Sequence, residues 1–256
     1  MSMSDKIHHP ASRLFFWFCY ASVCLWLALA SSWWLFAQFD YGYRHWYGAL
    51  QIEQHLDQYA SQNVRRPGFN QLPPEQHWQA FAQISRAVHE SGIGLEEIDY
   101  PLPGGARLPL LVDDEVAHLR DVATLIDLGA KISLLMLLAW PLFGWLLVAG
   151  RVPRLRARLV AAAVPLTAVA LWLLLAGPTA VFYRLHEWLF PPENPWFFYW
   201  EESLMSALMK APVLFGAIAV VLALGTLILT PVFYFAGLVL AGYGRRFLSR
   251  PAGTAP

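Results

Sequence analysis

The sequence predicts an all-α membrane protein with four transmembrane helices, both termini in the cytoplasm, and a small, mostly helical extracytoplasmic cap in which we also expect a short β-hairpin. Three observations predict this fold class: four long apolar stretches, basic residues concentrated at one end of each stretch, and a polar insertion between the first two. Hydrophobic residues make up 57% of the 256 residues and charged residues only 14%. This composition differs from that of a soluble domain, so lipid is the expected solvent for much of the chain.

Each apolar stretch is long enough to cross the hydrocarbon core of a bilayer, which is about 30 Å thick and needs roughly 20 helical residues. The first contains no charged residue, and its length and its Trp and Phe content favour an anchor over a cleaved signal peptide. Pro231 predicts a kink in the fourth. The predicted transmembrane helices are 14–38, 124–150, 159–183 and 211–243.

Basic residues indicate the orientation, because Lys and Arg concentrate in the cytoplasmic loops of membrane proteins. The connection from 40 to 123 instead has six Arg and twelve acidic residues, which favours the opposite side. The predicted cytoplasmic segments are 1–13, 151–158 and 244–256. The predicted extracytoplasmic segments are the cap, 39–123, and an aromatic loop, 184–210.

The cap combines two helical patterns with one extended pattern. Apolar residues recur at helical spacing in 43–61 and in 75–89, which predicts two amphipathic helices. Between 95 and 112, short extended pieces alternate with Pro and Gly, which predicts two strands and a turn. An acidic first turn then favours a helix that runs without interruption from Glu115 into the second transmembrane helix.

Two histidines in separate patches of the sequence have similar predicted heights above the hydrocarbon. His118 and Asp121 lie three residues apart on one helix face, so the carboxylate can orient or charge the imidazole. His186 begins a second patch that is rich in aromatic rings, which are also typical of the belt at lipid head groups. Counting the helical rise from the cytoplasmic arginines places both histidines roughly 12 to 16 Å above the hydrocarbon. Two imidazoles at that depth are suited to act on the ester of a lipid.

Both patches resemble motifs of the bacterial lipoprotein intramolecular transacylase family. The segment 118–122, HLRDV, resembles the family's motif of histidine, hydrophobe, basic residue, aspartate and valine. The segment 186–215, which begins with His186 and contains Trp196 and Pro212, resembles its second motif. Four spans with an outer cap between the first two are similar to the family's topology. Departures are Leu185 and Glu201-Glu202, where the family commonly has phenylalanine and an aspartate.

The resemblance implies a membrane acyltransferase in the bacterial cytoplasmic (inner) membrane, with its active face outside the cell. Such an enzyme moves the sn-2 acyl chain of a diacylglyceryl lipoprotein to the amino group of the lipoprotein's N-terminal cysteine, which gives a lyso-form lipoprotein. His118 and His186 match the family's two catalytic histidines, and no cofactor or metal is expected. The amine is mostly protonated at neutral pH, so the reaction needs a base, and histidine is suited to that role. Residues expected to support catalysis or bind substrate are Arg120, Asp121, Glu187, Trp188 and Trp196.

Two alternatives from other classes remain open. One is a metal-binding or haem-binding module in which His118 and His186, with Asp121 or Glu187, are ligands. The other is a non-catalytic assembly factor whose cap binds another protein. A formal net charge of zero gives no reason to expect nucleic acid as a partner. The resemblance implies a membrane lipid or a lipoprotein as the partner. The sequence has no nucleophile elbow, phosphate-binding glycine loop or zinc-protease motif, which disfavours the common hydrolases and nucleotide-driven enzymes.

Overall fold

The computed structural model describes residues 10–150 and 152–248. Within these ranges the chain is mostly α-helical and has one two-stranded sheet. Four helices are long and apolar enough to cross a membrane: Ala11–Ala37, Asp113–Ala149, Leu155–Ala176 and Val213–Gly242. The predicted fold class is confirmed to that extent. The orientation of the helices and the side on which the cap lies stay predictions, and the predicted segments 1–13, 151–158 and 244–256 lie partly outside the described residues.

In chain order the helices are α1 (Pro10–Ala37), α2 (Tyr43–Ala49), α3 (Ile52–Tyr59), α4 (Pro74–His89), α5 (Asp113–Gly150), α6 (Leu155–Ala176), α7 (Pro178–Leu189), α8 (Leu204–Met209) and α9 (Val213–Leu248). Short 3-10 turns occupy Asp40–Gly42, Ala60–Gln62 and Phe69–Gln71. The predicted hairpin is confirmed: β1 (Asp99–Pro101) pairs antiparallel with β2 (Arg107–Pro109). The predicted uninterrupted helix from the cap into the second apolar stretch is confirmed as α5.

Two predicted helices are broken in the structure, each at a residue with a positive φ. The predicted helix 43–61 is divided into α2 and α3 because Gln51 adopts a left-handed conformation with φ 53°. The predicted span 159–183 ends at Ala176, because Gly177 has φ 81° and Pro178 cannot donate a backbone hydrogen bond to a preceding turn. His186 therefore lies on a separate short helix, α7, which takes up the first part of the predicted aromatic loop.

The chain divides into two compact units, and the first contains most of the apolar helices. Its described residues are 10–32, 130–150, 152–175 and 223–248. Its buried centre is formed by Trp17, Tyr20, Cys24 and Leu147. The Tyr20 hydroxyl donates a hydrogen bond to the backbone oxygen of Tyr234 at 2.6 Å, which ties α1 to α9 within this unit. None of the residues of α6, all of which are described, is buried, so this helix has the exposure expected of a lipid-facing span.

The second unit contains residues 33–129 and 176–222, and its core includes residues between α1 and α5 together with residues of α5 and α9. A buried ion pair fixes the start of α5 in this unit. Glu115 is fully buried, and its Oε2 lies 3.5 Å from Nη1 of Arg66 and accepts a hydrogen bond from the backbone N–H of Val112 at 2.8 Å. The Arg66 guanidinium also donates to the Leu110 carbonyl at 3.1 Å. These bonds position the first turns of α5, on which His118 lies.

Candidate active site

A cavity of about 670 Å³ lies within the second unit and is walled mainly by aromatic and aliphatic side chains. Its volume is in the range of small-molecule binding sites. His118, His186 and His89 line it. Among the described residues that line this cavity, Glu201 is the only Asp, Glu, Lys or Arg. An apolar ligand with a small number of polar groups fits such a wall.

His118 lies in the second turn of α5 and is buried, with 8% of its surface exposed. Its Nδ1 atom is buried and has no hydrogen-bond partner among the described residues. The imidazole packs against the rings of Phe190 and Phe198, with centroids 4.7 and 5.9 Å away. A buried polar atom without a partner is costly, and a bound molecule that supplies a partner would remove that cost.

His186 lies on α7, and one of its ring nitrogens is already engaged. Nδ1 is 2.8 Å from the backbone oxygen of Phe182. Because a carbonyl oxygen only accepts hydrogen bonds, Nδ1 carries the proton and Nε2 carries the lone pair. Burial lowers the pKa of the His186 imidazole below its ordinary value, and the hydrogen bond to Phe182 opposes this shift. The neutral ring with a basic Nε2 is therefore favoured.

The structure brings the two predicted histidines together. Their ring centroids are 6.2 Å apart with an interplanar angle of 32°. Phe190 contacts both imidazoles, with centroid distances of 4.7 Å to His118 and 5.1 Å to His186. The two rings share an apolar surrounding, in which a hydrogen bond is electrostatically stronger than in water.

Asp121 and Trp196 belong to the surroundings of this pair in different ways. Asp121 Oδ2 accepts a hydrogen bond from Asn194 Nδ2 at 2.7 Å, and this bond connects α5 to the segment that follows α7. Trp196, on that segment, lines the cavity and packs against His186 with centroids 5.2 Å apart. The carboxylate thus holds the segment that carries Trp196. Burial lowers the pKa of the His118 imidazole, and the charge of Asp121 opposes this shift, so the predicted electrostatic effect of Asp121 on His118 is present.

Arg120, Glu187 and Trp188 do not line the cavity. Arg120 donates to Glu96 at 2.7 Å, and more than half of each side chain is exposed. Glu187 pairs with Arg184 at 2.7 Å on the exposed side of α7. Trp188 is 67% exposed. Their expected roles in catalysis or substrate binding stay predictions.

Sequence reasoning missed a second polar group on the cavity wall. Trp33, Tyr41 and His89 line the cavity, and both Trp33 Nε1 and the Tyr41 hydroxyl approach Nε2 of His89, at 3.1 and 3.0 Å. The sequence indicated His89 only as the end of a predicted amphipathic helix. The available signal was an aromatic ring with a polar atom near the end of each of two predicted helices. No spacing in the sequence relates Tyr41 to His89.

Comparison with known protein families, curated proteins and solved structures found no match to this chain. The class that its own fold and site define is a multi-pass membrane protein with an apolar cavity that contains a pair of histidines. Among the residues that the structure describes, no group of three or more His, Cys, Asp or Glu side chains is arranged to hold a metal ion.

Proposed function

We propose that this protein is a membrane acyltransferase in which His186 acts as general base and then general acid on a lipid-linked ester, and His118 donates a hydrogen bond to the oxyanion that forms. The observation that carries this proposal is the 6.2 Å separation of the two imidazoles on the wall of one aromatic cavity. The apolar wall is suited to hold acyl chains and to exclude water, which otherwise competes with the acceptor for the ester. Two imidazoles in such a place are suited to general acid–base catalysis.

The acceptor in this proposal is an amine, as the resemblance to the lipoprotein transacylases implies. The sn-2 acyl chain of a diacylglyceryl lipoprotein moves to the amino group of that lipoprotein's N-terminal cysteine. Because both groups belong to one molecule, the enzyme mainly has to fold the substrate into a reactive ring, and proximity contributes much of the rate. Glu201 is the candidate partner for the substrate ammonium, since a carboxylate on an apolar wall favours a cation.

Each histidine has its own role in the proposed reaction. The α-amino group arrives mostly as an ammonium, and Nε2 of His186 accepts one of its protons. The free amine attacks the ester carbonyl carbon, which forms a C–N bond and an oxyanion to which an N–H of His118 donates a hydrogen bond. The bond between the carbonyl carbon and the glyceryl oxygen then breaks, and the His186 imidazolium returns its proton to that oxygen. The nitrogen loses a second proton to water, so the products are an amide and a free glyceryl hydroxyl.

The proposed location is the bacterial cytoplasmic membrane, with the cavity on the extracytoplasmic side. The distribution of Lys and Arg supports this orientation, because the predicted outer connection 40–123 has twelve acidic residues and six Arg. The predicted height of His118 and His186 above the hydrocarbon, roughly 12 to 16 Å, also supports access to a lipid ester from that side.

The test uses the purified full-length protein and a synthetic lipopeptide with an N-terminal diacylglyceryl cysteine. Transfer within one molecule leaves the mass unchanged, so the product is measured by fragmentation in a mass spectrometer and by loss of the amine's reactivity. We expect His118→Gln and His186→Gln each to lower the rate at least about 100-fold. His45→Gln changes an exposed histidine of the cap and is the matched control. Full activity in both cavity variants would overturn the proposal.

A further inference from the structure

The second polar group of the cavity has a fixed arrangement of protons. Nδ1 of His89 lies 2.7 Å from the backbone oxygen of Ser85, so Nδ1 carries a hydrogen and Nε2 presents a single lone pair. The indole N–H of Trp33, which only donates, points to this Nε2 at 3.1 Å. The Tyr41 hydroxyl lies 3.0 Å from the same atom. Two donors thus compete for one lone pair, and the Tyr41 hydroxyl is left with hydrogen-bonding capacity to spare.

In a second Tyr–His pair of the same unit, both ring nitrogens of the histidine have a hydrogen-bond partner. The Tyr47 hydroxyl lies 2.7 Å from Nδ1 of His77, and Nε2 of His77 donates to the Phe69 carbonyl at 2.8 Å. Each nitrogen of His77 has one partner, and neither Tyr47 nor His77 lines the cavity. The crowded acceptor at His89 is therefore a particular feature of the pair that faces the cavity.

The backbone that presents Tyr41 is strained. Asp40 and Tyr41 both have positive φ, 48° and 52°, in front of Gly42 at 74°. A left-handed conformation costs residues with a β-carbon on the order of 1 kcal/mol each. The chain accepts this cost where it places a hydroxyl on the cavity wall, and such strain commonly accompanies functional positions.

We propose that the Tyr41 hydroxyl, kept available by Trp33 and His89, donates a hydrogen bond to an uncharged carbonyl of a bound lipid. The group of three contains no Asp, Glu, Lys or Arg, so it suits a neutral ester or amide rather than a phosphate or an ammonium. It lies on α1, the turn after α1 and α4, whereas the catalytic histidines lie on α5 and α7. The cavity thus has two separate hydrogen-bonding groups for one lipid.

The identity of this carbonyl rests on the proposed function. In a diacylglyceryl substrate whose sn-2 ester reacts at His118 and His186, the remaining carbonyl near the acyl chains is that of the sn-1 ester. A bond from Tyr41 to the sn-1 carbonyl distinguishes the two esters and presents only one of them to the histidine pair. The group is therefore a determinant of which acyl chain moves.

The experiment compares the binding of two lipids that differ at one carbonyl and cannot undergo transfer, since they contain no amine. The probes are 1,2-dipalmitoylglycerol and 1-O-hexadecyl-2-palmitoylglycerol, and the readout is quenching of tryptophan fluorescence of the purified protein. We expect the wild type to bind the diester about two- to tenfold more tightly, the range for one net hydrogen bond. Tyr41→Phe is expected to abolish this ratio, and Tyr47→Phe, the control, is expected to keep it.

Trp33→Phe is a second variant in case Tyr41→Phe does not fold. Without the indole N–H, the Tyr41 hydroxyl is captured by Nε2 of His89, so the ratio is again expected to fall towards one. A wild type that binds both lipids equally, or cavity variants that keep the full ratio, would overturn the inference. The proposed function is tested separately. If the protein discriminates between the two lipids but transfers no acyl chain to an amine, only the proposed acyltransferase activity is refuted.

Discussion

The imidazoles of His118 and His186 lie 6.2 Å apart, and the ring of Phe190 contacts both of them. This relationship depends on a break in the third apolar stretch, because Gly177 ends α6 and α7 then carries His186 on a short helix of its own. A phenyl ring beside two imidazoles excludes water from the place where a proton has to move. The two imidazoles therefore share an apolar surrounding, which is the environment that the proposed acid–base role requires.

The first prediction concerns the pKa of the His186 imidazole. Burial lowers the pKa of this imidazole, so its midpoint of titration is expected below the ordinary value of about 6.5. The folded protein then binds fewer protons than the unfolded chain below that pH. The stability associated with the neutral ring is present above pH 6.5 and is lost as the pH falls through the folded-state pKa. NMR of 13C-labelled histidine, assigned with His186→Gln, measures the midpoint; a value above 6.5 would contradict the role of burial.

The role of Glu201 is testable against its neighbour in the sequence. Glu201 lines the cavity, whereas Glu202 is exposed and does not. If Glu201 binds the substrate ammonium, Glu201→Gln loses a charge-assisted bond, and KM is expected to rise roughly tenfold with a smaller change in kcat. Glu202→Gln is expected to leave both parameters unchanged. Equal effects of the two substitutions would indicate a general electrostatic influence on the amine instead of a specific contact.

Much of the fold was readable from the sequence because it depends on local quantities. The lengths of the apolar stretches determine the four candidate spans, and the alternation of Pro and Gly between 95 and 112 determines the hairpin. The break at Gly177 was missed because the apolar stretch continues past Pro178. Hydropathy alone does not separate one long helix from two shorter ones.

The site was readable only in part, for a different physical reason. The histidine pair was suggested by two motifs and by the predicted height of each ring. The partners of Asp121 and Arg120 were not, since Asn194 and Glu96 lie in irregular segments that no periodicity places. The contact of Tyr41 with His89 depends on a left-handed conformation at Asp40 and Tyr41, which Tyr rarely adopts. Contacts between distant, irregular segments are set by packing rather than by local propensity.

The hydrogen bond between Asp121 and Asn194 is expected to affect the rate through Trp196. Asn194→Ala removes this bond and releases the segment that packs against His186, so kcat is expected to fall roughly tenfold, in line with the sensitivity of catalysis to small displacements. Glu193→Ala, at an exposed neighbouring position, is the control and is expected to retain the wild-type kcat. The midpoint of the His186 titration, measured by NMR, distinguishes displacement of the ring from unfolding. A single titration with a shifted midpoint indicates a displaced imidazole. An unchanged kcat in Asn194→Ala would show that the bond does not position the aromatic wall.

The buried ion pair between Arg66 and Glu115 is expected to be the most sensitive ionic contact of the cap. Arg66→Met leaves a fully buried carboxylate without its partner, and loss of one partner of a buried pair costs about 3 to 5 kcal/mol of unfolding free energy. Arg107→Met removes the exposed pair with Asp99 on the hairpin, for which a much smaller change in melting temperature is expected. The measurement is thermal unfolding of the purified protein in detergent, compared between the two variants.

Because the same pair fixes the first turns of α5, its loss is also expected to reach the histidines. Glu115 accepts the backbone N–H of Val112 and precedes His118 by about one helical turn, so a frayed helix start displaces that ring from Phe190. Arg66→Met is therefore expected to lose acyl transfer below its melting temperature, while Arg107→Met keeps it. If both variants unfold at the same temperature and retain transfer, the pair has no special role, and the start of α5 must be held by the apolar core around it.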